Sequence, residues 1–206
     1  MQPVRLEAIS DAVVAIILTI MLLEIPVPRG ADLAALQADV PVLLAYVLSY
    51  LIVGTFWNNH HHMLVAAERV DGKVLLANMA LLFWLSLIPF NIRWIDEVGF
   101  RPLPTAGYGV VLLCAAISYH ILQRQIIAAN GPQSRLAVAT GRDLKGKLSI
   151  VLYAGAIALA FVQPWVSIAL YVGVSLMWLV PDTRIEAAMK RRYRRPRRDT
   201  LRRHSE

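Results

Sequence analysis

Three polar side chains, Arg5, Ser10 and Asp11, stand at the head of an apolar run that continues to Ile25. A second apolar run closes on Phe56-Trp57-Asn58-Asn59-His60-His61-His62, and a third carries Asn78 about one turn beyond Lys73. These residue types could do three kinds of chemistry. An ionised Asp11 accepts hydrogen bonds that Arg5, Trp57, Asn78 or a histidine can donate, giving a network that ties helices together. Histidines beside a carboxylate can hold a metal ion. A helix turns about 100° per residue, however, so three successive histidines diverge and only one or two could join Asp11. Histidine also titrates near neutral pH, which suits a proton-linked switch.

The elements that carry these groups follow from composition. Of the 206 residues, 57% are hydrophobic and 17% are charged, against about 25% charged in a soluble domain. The mean hydropathy is +0.54. A soluble domain with so few polar residues could not cover its surface, and a disordered chain is excluded. Lipid is the fitting solvent, and a helix needs about 20 mainly apolar residues to cross it. Six spans are expected, at about residues 4–25, 40–66, 74–92, 106–127, 143–162 and 165–181, giving an all-α transmembrane domain over 1–182 and a basic tail over 183–206. Breakers punctuate them: Pro26-Val27-Pro28-Arg29-Gly30, Arg101-Pro102-Leu103-Pro104 and Asn130-Gly131-Pro132. Gln163-Pro164 splits the last apolar stretch in two. The first apolar segment lacks the basic start and the small-residue cleavage site of a signal peptide.

Charge orients the spans. An even number of crossings puts both termini on one side. Of the 21 Lys and Arg residues, all but Arg29, Arg93 and Arg101 then fall on the side of the termini, which the positive-inside rule makes cytoplasmic. The formal net charge of +7 comes mostly from ten Lys or Arg between Arg184 and Arg203. A basic tail after a membrane segment touches anionic lipid headgroups, and it lacks the aromatic platform of a nucleic-acid binder, so no nucleic-acid partner is expected. Cys114 is the only cysteine. It excludes a disulfide or a cysteine-based metal site within one chain.

With this orientation the polar groups share one depth. The first helix enters from the cytoplasm with Arg5, Ser10 and Asp11, the second returns to the cytoplasm with Trp57 and His60 to His62, and the third begins there with Asn78. Polar residues at such a depth are costly and default to a functional or packing role. Beyond them, one face of the first helix holds Ala12, Ile16, Thr19, Ile20 and Leu23. By periodicity that stripe is a lipid-facing or core surface.

Arg5-Leu6-Glu7-Ala8-Ile9-Ser10-Asp11 resembles the Arg-x-x-x-Phe-Ser-Asp motif of the transmembrane protein 175 potassium channel family, in its prokaryotic single-repeat branch, with Ile9 where the motif has Phe. Phe56-Trp57 with His60-His61, Asn78 with Leu87-Ile88-Pro89-Phe90, and Trp178-Leu179-Val180-Pro181-Asp182 extend the likeness from Arg5 to Asp182. The resemblance implies a homotetramer of six-helix subunits in the cell membrane, with the first helix of each lining a central pore for K⁺ and other monovalent cations. It implies a constriction at Ile16, Ile20 and Leu23 with Thr19 beside it, and a network of Arg5, Ser10 and Asp11 with Trp57, His60, His61 and Asn78. No cofactor, catalytic residue or bound metal is implied. An apolar ring can gate by dewetting, and without oxygen ligands it favours K⁺ over Na⁺ only modestly, unlike a Thr-Val-Gly-Tyr-Gly filter. Gly54, Gly107, Gly109, Ala115, Ala116, Gly155 and Gly173 are expected to let helices pack closely. The competing readings are a metal-dependent membrane enzyme using Asp11 and the histidines, and a secondary transporter, although no internal repeat is visible and no helix carries His-Glu-x-x-His.

Overall fold

The structure, a computed structural model, describes residues 3–141 and 143–179. Arg142, Val180-Pro181-Asp182 and the basic tail lie outside the described residues. Within them the chain is all helical: α1 (Pro3–Leu23), α2 (Leu33–Ala38), α3 (Val40–Val65), α4 (Gly72–Ser86), α5 (Ile88–Val98), α6 (Pro102–Asn130), α7 (Arg135–Thr140), α8 (Leu144–Ala160) and α9 (Pro164–Leu179).

Local chemistry sets the boundaries. Asp71 caps α4 by accepting from the Val74 amide at 2.9 Å, and Asp32 caps α2 in the same way at the Ala35 amide. Gly99 and Gly131 close α5 and α6 with φ of 77° and 91°, a region that side chains with a Cβ avoid. Between α4 and α5 the ladder breaks at Leu87. Pro89 has no N–H to give back to the preceding turn. The Leu87 amide tightens onto Trp84 O at 3.2 Å, and Asn91 Nδ2 donates to Leu87 O at 2.8 Å across the break. The apolar helix therefore resumes after the break and runs on to Val98.

Among the described residues, four helical segments are long and apolar enough to cross a membrane: Pro3–Leu23, Val40–Val65, Gly72–Val98 and Pro102–Asn130. The remaining two apolar helices are shorter. At 17 residues, α8 rises about 25 Å, less than the roughly 30 Å hydrocarbon core, and α9 is described from Pro164 to Leu179. The turn at Gln163-Pro164 divides the stretch into these two helices.

Helix α6 packs against α4, α5, α8 and α9, while α1 lies on α3, α4 and α5. Buried tyrosines tie α6 to α3 and to α9. Tyr108 shares a hydrogen bond with Ser49 Oγ at 2.9 Å, and Tyr171 donates to Thr105 O at 3.1 Å. Of the small residues expected at close contacts, Gly109 is one. A Cβ there would collide with the Tyr171 hydroxyl and Ile157, and one on Gly107 would press on the Trp94 ring. Ala115 is fully buried. Gly54, Gly155 and Gly173 are different, because nothing lies within 4 Å of the place a Cβ would take.

Candidate functional site

The polar residues of α1, α3 and α4 meet in one buried chain. The Ser10 hydroxyl donates to Leu6 O at 2.8 Å and accepts from Asn78 Nδ2 at 3.0 Å. With the Asn78 amide so turned, its Oδ1 faces His60 Nε2 at 2.7 Å. An amide oxygen only accepts, so His60 carries its proton on Nε2. Ser10, His60 and Asn78 are each nearly sealed from solvent. The adjacent turns explain the convergence: Leu6, Ser10, Val14, Ile17 and Met21 follow the 3.6-residue repeat along the buried face of α1.

A second seam lies beside it. Trp57 Nε1 donates to Asp11 Oδ1 at 2.8 Å, and His61 Nδ1 meets Glu7 Oε1 at 2.6 Å. Glu7 and Asp11 are one turn apart on α1, as Trp57 and His61 are on α3. The two pairs thus form the rungs of an antiparallel ladder, and the Trp57 and His61 rings stack at 6.2 Å between centroids. The sequence does not single out Glu7, since a carboxylate near the start of a helix reads as an ordinary solvated end. Arg5, which the resemblance implies in this network, is exposed and bonds to no other described residue. Asp11 takes its donor from Trp57 instead.

The three histidines do not converge. His60 turns to Asn78 and His61 to Glu7. Among the described residues no group of three or more His, Cys, Asp or Glu is placed to hold a metal ion.

The opposite face of α1 is exposed in the subunit. Ile16 is 56% exposed, Ile20 40% and Leu23 80%, whereas Val14, Ile17 and Met21 are at most 4% exposed. Periodicity had left a core stripe open as a reading of this face, and within one subunit it is not core. Thr19 lies on it too. Its hydroxyl donates back to Ile16 O and Ala15 O at 2.9 and 3.1 Å, which leaves the oxygen lone pairs outward.

Fold and site together define an all-helical membrane protein whose first helix is bonded to its own bundle along one face and bare and apolar along the other. A family model described as "Endosomal/lysosomal potassium channel TMEM175" matches residues 5–89. A potassium channel of Chryseobacterium sp. (strain P1-3) is 46% identical over 186 residues, covering 90% of this chain and 97% of the relative. A potassium channel of Streptomyces collinus is 28% identical over 176 residues, covering 80% of this chain and 85% of the relative. The fold resembles the crystal structure of a lysosomal potassium-selective channel TMEM175 homolog from Chamaesiphon minutus, with a TM-score of 0.75, 24% identity, and coverage of 87% of this chain and 97% of that one. The chain belongs to the TMEM175 family.

Proposed function

We propose that this protein is a potassium channel in which α1 lines the pore. The observation that carries the reading is the asymmetry of α1: an apolar face exposed in the subunit, opposite a face tied down by polar contacts. Four subunits around an axis would turn the bare faces toward one another, as closed cyclic symmetry permits. Ile16, Ile20 and Leu23 then form stacked apolar rings that stop conduction when narrow and wet when widened. Thr19 adds an oxygen among them, with its lone pairs free for a passing cation. The polar network of Ser10, Asp11, Trp57, His60, His61 and Asn78, extended by Glu7, fixes the tilt and rotation of α1. The relatives named as potassium channels support K⁺ as the permeant ion, with other monovalent cations passing less readily.

The same reading takes all six apolar segments as membrane-crossing, α8 with local thinning of the bilayer. It puts both termini in the cytoplasm of the cell and the basic tail on anionic lipid. The family and the relatives named above are ion channels, not enzymes, and the diverging histidines give a hydrolytic metal no seat. The test is K⁺ flux into liposomes holding the purified protein. Flux under a K⁺ gradient, altered several-fold by Ile16→Asn, is expected. Absence of K⁺ flux under any gradient would overturn the reading.

A further inference from the structure

A cavity of about 40 Å³ lies between α3, α6, α8 and α9, away from α1. By the roughly 10–15 Å³ that one water needs, it has room for about three waters or a few heavier atoms. Three rings from three helices build one wall. Phe56 meets Tyr119 edge-on at 6.1 Å, and Tyr119 meets Trp178 edge-on at 6.1 Å. Trp178 is held in place by its Nε1 donating to Ser149 Oγ at 2.7 Å.

The polar side of the cavity is a carboxylate. Asp143 lines it, with Oδ2 at 2.8 Å from His120 Nδ1 and Oδ1 accepting from the Gly146 amide at 3.2 Å. Each oxygen keeps a lone pair beyond these bonds. Thr55 contributes a buried hydroxyl with no hydrogen-bond partner among the described residues, on the α3 side of the same space. An unpartnered buried hydroxyl is costly unless something completes it. A carboxylate at one side of a space walled by aromatic rings suits a ligand with an ammonium head, which pairs with the carboxylate, and an apolar stem, which packs on the rings.

We propose that this cavity is a binding site for a small alkylammonium ligand, with its nitrogen on Asp143 and its carbon chain along Phe56, Tyr119 and Trp178. The site lies outside the pore face of α1, so its occupancy can be read without conduction. Asp143 also caps α8 from a left-handed conformation with φ of 44°. Asparagine tolerates that conformation and caps equally well, so Asp143→Asn removes the charge and keeps the fold.

The full-length protein in detergent is titrated with n-butylamine at neutral pH while tryptophan fluorescence is followed. The uncharged 1-butanol is run in parallel. A saturable change is expected in the wild type, weakened at least tenfold by Asp143→Asn, with 1-butanol at least tenfold weaker than the amine. Trp178→Phe should remove most of the signal, and Ala116→Leu, which fills the cavity, should abolish binding. If Asp143→Asn fails to give a monodisperse protein, Ala116→Leu and Trp178→Phe decide. The proposal is overturned by equal affinity in Asp143→Asn, by 1-butanol binding as tightly as the amine, by a signal that survives Trp178→Phe or Ala116→Leu, or by no saturable change at all.

Discussion

The two faces of α1 are built from the same apolar residue types and have opposite fates. Val14, Ile17 and Met21 are packed into the bundle, while Ile16, Ile20 and Leu23 are exposed in the subunit. The difference comes from polar groups placed one or two turns earlier. Ser10 bonds to Asn78, Asp11 to Trp57 and Glu7 to His61, and these fix which side of the helix turns inward. In lipid, apolar side chains alone could not make that choice, because acyl chains solvate isoleucine as well as a protein core does. Directional bonds at one end therefore set the rotation of a greasy rod along its whole length.

Substitutions can break this contrast at either face. The largest loss of stability is expected from Asn78→Leu. It leaves the Ser10 hydroxyl and His60 Nε2–H without their shared partner, at about 1–3 kcal/mol for each unpaired buried group. A fall in the thermal midpoint of the detergent-solubilised protein measures it. Met21→Ala comes next. Its side chain is fully buried, and the cavity left behind costs about 2 kcal/mol. That is the low end of the usual range, because lipid removes the transfer term. One residue away, Ile20→Ala should leave the midpoint within about 0.5 kcal/mol and instead change K⁺ flux several-fold in liposomes. The smallest effect belongs to Asp11→Asn. An amide oxygen still accepts from Trp57 Nε1, so the midpoint should move little, whereas Asp11→Ala loses about 1 kcal/mol with that bond.

Part of this architecture was legible in the sequence, for a physical reason. Ser10, Asp11, Trp57, His60 and Asn78 stand out because a polar group inside an apolar run is expensive and must have a partner. What escaped had no such contrast. Glu7 sits near the start of α1, where a carboxylate is ordinary, and only the fold brings His61 to it. Arg5 had contrast enough but no geometry, since its spacing did not say which way it would point. Asp143 and His120 are 23 residues apart, one capping α8 and the other inside α6, so nothing in the chain announced their pairing or the cavity beside them. The short helices α2 and α7 were equally silent, because each rests on a local cap, Asp32 or Ser134, rather than on an apolar period. Pro89 was visible, but not that Asn91 would patch the break and carry the helix to Val98.

The most direct measurement compares the two faces as single cysteines in a Cys114→Ala background. Ile16→Cys and Val14→Cys are each reconstituted in liposomes, and K⁺ flux is recorded before and after a water-soluble, membrane-impermeant thiol reagent. The account predicts a strong block at position 16 and none at position 14. Equal insensitivity of the two, in channels that still conduct, would contradict a pore lined by the bare face of α1.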